Sequence, residues 1–247
     1  MRDKIRFFEE IAANSHVALN VVQYDGWLLR FANGHTSRAN SISMIYPSFL
    51  PFEEKVSVCE EYYKKQGLPC LFKVTEVDSL QNDFLVSHGY EAVNSTYLMS
   101  LDLSNIKIDS KFFESCKFFE TPAEEWLEPY FIYEEINEEK YQNTFRKMLA
   151  KVQSKTCYGA VLDGDKIVAC ASIAIEHGYA LLQNVVVSQN CRGKGFGKKL
   201  CKAMLVKAKE FGAKHAYLQV LQKNEVALNL YKNLGFCKEY EYWYMKK

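Results

Sequence analysis

Residues 192–197 read Arg-Gly-Lys-Gly-Phe-Gly and stand between two different hydrophobic periods. Before them, 179–187 alternates; after them, Leu200, Met204, Leu205, Ala208 and Phe211 share one helical face, with lysines on the other. Glycine at every second position lets the backbone approach a ligand closely and take positive φ, so that successive N–H groups converge on one anion. The helix from Lys198 adds its unpaired first-turn N–H groups and the positive end of its dipole. Strand, glycine turn and helix start together form a phosphate cradle, which Arg192, Lys194 and Lys198 supplement with charge.

Two other phosphate-binding architectures fit poorly. A P-loop needs Ser or Thr after its lysine, whereas Gly197 is followed by Lys198-Lys199. A dinucleotide fold needs the glycines after the first strand of a parallel βαβ unit, and here an antiparallel meander precedes them. A helix start with incidental glycines is the plainest alternative, and the strand–turn–helix context argues against it.

The rest of this half is ordered by period. Thr121-Pro122-Ala123-Glu124 offers a hydroxyl N-cap, a proline at the first helical position and a glutamate at N3, a capping box for a helix through about Glu135. A second helix spans 137–152. Alternation through 157–162, 167–175 and 179–187, with turns at 163–165 and 176–178, predicts three antiparallel strands joined by tight hairpins. Beyond the glycine turn come the amphipathic helix ended by Gly212, a strand at 215–221, a helix at 225–233 closed by Gly235, and an aromatic-rich strand at 237–245.

The first half carries a fainter copy of that ending. Residues 52–66 and 79–87 read as helices, 69–74 and 91–101 as strands, and Gly89-Tyr90 repeats the place of Gly235-Phe236. This predicts an internal repeat with units at 1–104 and 112–247 and a boundary near 105–111. Tyr46-Pro47-Ser48-Phe49 stands where the first unit would need glycines, so that unit is not expected to hold a pyrophosphate.

Composition excludes several classes. A net charge of +1, without a basic stripe interleaved with aromatics, gives no footprint for nucleic acid or an anionic membrane. No apolar run approaches the roughly 18 residues of a membrane span, and the opening is charged and amphipathic, which points to the cytoplasm. The eight cysteines form no CxxC pair and read as reduced thiols, and with five scattered histidines they support no metal site.

Two separated signatures carry a resemblance. Arg192 to Gly197 matches a Q/R-x-x-G-x-G/A loop behind a strand, and Asn224-x-x-Ala227-x-x-Leu230-Tyr231-x-x-Leu234-Gly235-Phe236 matches the helix after a fifth strand. Together they resemble the GNAT superfamily of acetyl-CoA-dependent N-acetyltransferases, over about residues 116–247. Gly26-Trp27-x-Leu29-Arg30 and Arg38-Ala39-Asn40-Ser41 resemble the degenerate first unit of tandem-GNAT proteins. The implied fold is α/β (α+β), two GNAT-like units, each a mixed, mainly antiparallel sheet flanked by helices.

The resemblance also implies roles. Main-chain N–H groups of Arg192, Gly193, Lys194, Gly195, Phe196, Gly197 and Lys198 would bind the pyrophosphate of acetyl-CoA, the cosubstrate. Val185, Val186 and Val187, on a bulged and splayed strand, would meet the pantetheine arm and the thioester carbonyl, and Asn224 would hydrogen-bond the pantetheine region. Tyr231 would act as general acid for the leaving thiolate, against the alternative of a core tyrosine. The positions that often hold a base are Leu181 and Gln219, which leaves Glu176, an acid on the first two helices, or a water chain. The missing glutamates also motivate a non-catalytic acyl-CoA sensor, and a peptide or protein N-acetyltransferase is a third reading.

The acceptor would be a small amine or peptide, with the oligomeric state open. Glu124, Glu125, Glu128, Glu134, Glu135, Glu138 and Glu139 would suit a cationic amine, or form a solvated helix face. Trp27, Arg30, Arg38 and Asn40 would line a cleft between the halves, or form a buried Arg–Asn network.

Overall fold

The computed structural model describes residues 1–107 and 113–247. The part of the predicted boundary from 108 onward therefore lies outside the described residues. Helix α1 (Arg2–Ser15) opens the chain, followed by strands β1 (Asn20–Tyr24), β2 (Trp27–Phe31) and β3 (Ile42–Met44). Asp25 and Gly26, at φ 42° and 82°, make the tight turn that registers Tyr24 against Trp27. Helix α2 (Phe52–Lys65), β4 (Leu71–Thr75), α3 (Ser79–Ser87) and β5 (Glu91–Asp102) complete the first half.

The second half runs β6 (Cys116–Phe119), α4 (Glu124–Tyr133), α5 (Glu139–Ala150), β7 (Lys155–Asp163), β8 (Lys166–Glu176), β9 (Tyr179–Val187), α6 (Phe196–Glu210), β10 (His215–Leu221), α7 (Glu225–Asn233) and β11 (Cys237–Lys246). The three predicted hairpin strands, the two short helices and the last two strands stand within one or two residues of their expected bounds. The capping box does not form. Ala123 is the N-cap of α4 and bonds back to Thr121 O at 2.8 Å, so the chain stays extended until Glu124. That offset sets Trp126 fully inside the core, donating Nε1–H to Gly159 O at 3.0 Å.

All the strands join one sheet in the order β1-β2-β3-β4-β11-β5-β10-β9-β8-β7-β6. Apart from β6 the order is palindromic: β1, β2, β3 and β4 mirror β7, β8, β9 and β10, and β5 mirrors β11. Each mirrored half contains one parallel pair, β3 with β4 and β9 with β10. Each half's last strand lies between the last two strands of the other, since β11 separates β4 from β5 and β5 separates β11 from β10. Repeat and sheet are thus interleaved.

Helix α6 covers β7, β8 and β9 with Leu200, Met204, Leu205 and Ala208, and Gly159 on β7 allows the close approach, because a Cβ there would collide with Met204 Sδ. Helix α1 packs Phe8 and Ile11 against Leu181, Tyr217, Tyr240 and Tyr242. In the same cluster Lys73 bonds Glu9 at 2.6 and 2.7 Å, with Tyr240 Oη donating to Glu9 at 2.7 Å, so the buried charges are paired. Among the described residues no disulfide joins any of the eight cysteines. Among the described residues no helix is long and apolar enough to cross a membrane, and no group of His, Cys, Asp or Glu could hold a metal.

Candidate active site

The parallel ladder between β9 and β10 covers Tyr179–Leu181 against residues 215–217 and then stops. Beyond it β10 turns to β5, reaching Leu221 against Thr96, while β9 follows β8. A bulge widens the divergence: Gln183 opposes Ser172 and Val186 opposes Cys170, so Asn184 and Val185 together face Ala171, with Asn184 at φ 57°. The edge of β9 that faces β10 therefore carries main-chain groups without a ladder partner over 182–187, the stretch that holds Val185, Val186 and Val187. Val186 is buried among Trp126, Tyr130 and Cys170, while Val185 and Val187 are half-buried.

The glycine turn stands at the end of this strand. Gly193 and Gly195 take φ 77° and 86°, and a Cβ on either would meet no atom within 4 Å. Both therefore border open space, in a conformation that L side chains resist. Gly195 is the N-cap of α6, which begins at Phe196, two residues before the expected start, and leaves first-turn N–H groups of Phe196, Gly197 and Lys198 without intrahelical carbonyls. Arg192 Nε donates to Val187 O at 3.3 Å, and Arg192, Lys194 and Lys198 are exposed. A Cβ on Gly197 would lie 3.4 Å from Val187 and 3.8 Å from Leu230, so strand end, glycine turn and α7 meet at one point.

Asn224 and Tyr231 belong to α7, Asn224 as its N-cap. Asn224 Oδ1 accepts from Ala227 N at 3.1 Å and caps the helix, which commits the oxygen and leaves the amide NH₂. Tyr231 is 8% exposed, packs edge-on against Phe236, and its hydroxyl makes no hydrogen bond among the described residues. Burial, with the Cys201 thiol next in effect, pushes its phenol well above the usual range, so it stays protonated.

The first half treats the corresponding turn differently. The loop before α2 aims Phe49 N and Leu50 N at the Asp25 carboxylate (3.0 and 2.9 Å), with Ser48 Oγ at 2.7 Å and Lys55 Nζ at 3.1 Å. These bonds, led by Ser48, hold Asp25 far below the ordinary carboxylate range. A side chain of the protein itself thus occupies the anion position of the first unit.

On the other face of β9 lies a cleft of about 410 Å³ whose walls include His16, His35, Arg38, Tyr130, Glu134 and Asn184. Of the four first-half residues expected at a cleft between the halves, Arg38 lines this one, and Arg30 lines a second of about 810 Å³ whose walls also include Lys151 and Glu176. Trp27 is buried in the N-terminal core under the Lys55 ammonium. Arg30 is buried and donates to Arg38 O at 2.6 Å, to Ala13 O at 3.3 Å and to His16 O. Asn40 braces the loop through Ala32 N, Gly34 N and Thr36 O. Arg30 and Asn40 are thus buried braces bonded to main-chain groups rather than to each other, and Arg30 fixes the Arg38 carbonyl.

Of the acidic residues on α4 and α5, Glu124 pairs with Arg146 and Glu125 with Lys117 on the surface, and Glu135 accepts from Gln189 at 2.8 Å. The Glu134 side chain makes no hydrogen bond or ion pair among the described residues; loss of water in the cleft raises its carboxyl, against the lowering effect of Arg38 and Arg192. Glu176 stands at the β8–β9 hairpin, bonded to Asn14 at 3.0 Å and facing a separate cavity of about 810 Å³. It pairs with Tyr179, six residues before Val185, a span of about 20 Å along a strand. Leu181 is fully buried and Gln219 half-buried. His16, His35 and Thr36 carried no sequence signal, because nothing local to 16 or 35–36 places those residues beside β9.

A meander running into a splayed parallel pair, with a glycine turn at the mouth of the splay, is the anatomy of the GCN5-related N-acetyltransferase (GNAT) superfamily. The chain belongs to this superfamily and, within it, to the family described as "Probable histone acetyltransferase Rv0428c C-terminal", whose sequence model matches residues 3–245. It is 27% identical over 250 residues to the Uncharacterized N-acetyltransferase YobR of Bacillus subtilis (strain 168), covering 99% of each chain. Its fold is similar to that of a GCN5-related N-acetyltransferase from Kribbella flavida (TM-score 0.70, 14% identity, 100% of this chain and 95% of that one). It is also similar to a tandem GNAT protein from the clavulanic acid biosynthesis pathway (TM-score 0.64, 14% identity, 84% and 74%).

Proposed function

We propose that this protein is an N-acetyltransferase that moves an acetyl group from acetyl-CoA to a primary amine within a ternary complex, with 112–247 as the cofactor-binding unit and 1–104 as its partner unit. The observation that carries this is the meeting of the glycine turn, the end of β9 and α7 around Gly197. The residues fit the donor: Gly193 and Gly195 leave room where side chains would stand, and the N–H groups of 193–198 suit a pyrophosphate, the Arg192 N–H being given to Gln189 O. Bound acetyl-CoA supplies a thioester carbonyl, whose carbon bonds to the amine nitrogen as its bond to sulfur breaks.

The chain's own groups serve that exchange. Main-chain N–H groups of Val185–Val187 on the unpaired edge of β9 hold the carbonyl oxygen as it gains charge. Tyr231, kept protonated by burial, gives its proton or a hydrogen bond to the departing sulfur. Glu134, whose carboxyl is raised by its surroundings and unpaired, takes the amine's proton. The absence of a carboxylate at Leu181 and Gln219 favours a second reading, an acyl-CoA sensor without turnover.

Calorimetric titration with acetyl-CoA, followed by thiol-release assays over amines and peptides, separates the two. Binding with release supports the transferase; binding without release over the whole panel supports the sensor. No binding removes both.

A further inference from the structure

Arg38 and Glu134 look into the same cleft from opposite halves of the chain, and each lacks a partner. The Arg38 side chain is half-buried and makes no hydrogen bond and no ion pair within 4.0 Å among the described residues, nor does Glu134. A guanidinium partly withdrawn from water without an anion is costly, whereas Glu134 is exposed and keeps part of its water. The two stand too far apart for an ion pair, so Arg38 offsets the raised Glu134 carboxyl only in part.

The framework behind Arg38 is rigid. Its carbonyl is tied to Arg30, the turn at residues 37–39 is capped by Thr36, and Asn40 bonds three points of the same loop. The neighbouring rings carry no competing charge near neutral pH. Burial, then Arg38, lowers His35, and burial with Arg38 and Arg30 holds His16 well below the usual value. Arg38 is thus the fixed positive charge of the cleft. Glu134 is an unpaired carboxylate of the cleft that feels the charges of Arg38 and then Arg192, and Glu135 and Glu138 line the same walls.

We propose that the acceptor is a small zwitterion, a primary amine carrying an anionic oxyacid group on the same molecule, with the anion on Arg38 and the amine beside Glu134. This rests on the acetyltransferase reading above and narrows its substrate class. It sets the chain against polycationic peptide acceptors, for which the half-buried Arg38 in the acceptor cleft is repulsive. The planar guanidinium fork suits a carboxylate or a phosphate in bidentate contact.

The test is thiol release from acetyl-CoA over α- and ω-amino acids and aminoalkyl phosphates, each beside its amide or an amine of equal length without the anion. Wild type, Arg38→Leu and Arg38→Lys are compared, with acetyl-CoA affinity measured on each. Anionic acceptors should exceed their neutral counterparts in kcat/KM by about tenfold or more, chiefly through KM. Arg38→Leu should erase that preference, Arg38→Lys keep part of it, and neither change acetyl-CoA affinity. The carboxylate and phosphate arms tell which oxyanion is read. Neutral amines or lysine-rich peptides accepted as well as the zwitterions, a preference that survives Arg38→Leu, or no turnover of any anionic acceptor would each overturn the inference. Failure of wild type to bind acetyl-CoA would instead remove the reading on which it stands.

Discussion

His16 Nδ1 lies 3.2 Å from Gln183 Oε1, joining the end of α1 to the central strand β9. Gln183 Nε2 donates to Ser15 O, so its oxygen faces the ring and the proton belongs on Nδ1. Nε2 then accepts from Thr36 Oγ1 at 3.2 Å. The neutral ring satisfies every contact, and burial beside Arg38 and Arg30 depresses its pKa well below that of the unfolded chain, about 6.5.

A depressed histidine makes the unfolded state bind more protons as pH falls, so stability is full above about pH 6.5 and declines below it. His35 is lowered as well and adds the same sign. Thermal unfolding from pH 8 to 5 should show a falling midpoint on the acid side, and His16→Gln should flatten that slope. A wild-type midpoint that rises toward pH 5 would contradict the assignment.

The second half was legible because its signals are local. Alternation broken by His177-Gly178 marks a hairpin, and glycines ahead of a lysine-studded apolar face mark the start of α6. Strands β1, β2 and β3 were missed although Asp25-Gly26 between Tyr24 and Trp27 is a hairpin signal, because they are at most five residues long and were read only through a family likeness. Strand β6 is shorter still. The cleft beside β9 was beyond the sequence for a different reason: His16, Arg38 and Glu134 come from three separate loops or ends, and only the interleaved sheet brings them together.

Gly195 tests the cradle. A carboxylate there would stand where phosphates are expected, so Gly195→Glu should abolish the calorimetric signal for acetyl-CoA. The left-handed backbone alone costs a non-glycine residue about 1–2 kcal/mol. Gly195→Asn, which tolerates that backbone better, serves as the control and should weaken binding without abolishing it. Unchanged affinity in Gly195→Glu would remove the loop from the cofactor site.

Tyr231→Phe keeps the ring against Phe236 and removes only the hydroxyl, which has no hydrogen-bond partner among the described residues to lose. Acetyl-CoA affinity should hold while transfer slows by about 10²-fold or more. Since burial raises the phenol, the wild-type rate should show no loss of activity from Tyr231 below pH 10. Equal rates in the two proteins would return Tyr231 to the role of a core residue.

Glu134 should set the acid limb of kcat/KM. Its carboxyl is raised, so activity falls with acid from a pH above the ordinary glutamate value of about 4.3. Glu134→Gln should lower kcat/KM and abolish that limb, with acetyl-CoA affinity retained. A limb that persists in Glu134→Gln would assign the proton to another group.

Interleaved strands make a last prediction about the two halves. Strand β5 is hydrogen-bonded on one edge to β10, from His215↔Asp102 to Leu221↔Thr96, and on the other to β11, from Cys237↔Ser100 to Lys246↔Glu91. A fragment 112–247 keeps β10 and β11 but loses the strand between them, leaving a gap of about 10 Å at the usual strand spacing. A fragment 1–104 loses β11 from between β4 and β5 in the same way. Each isolated half should therefore lack a cooperative thermal transition, and co-expression should restore one. If 112–247 alone unfolds cooperatively and binds acetyl-CoA with full affinity, each half closes its own sheet, and the exchange is a mode of association rather than a condition of folding.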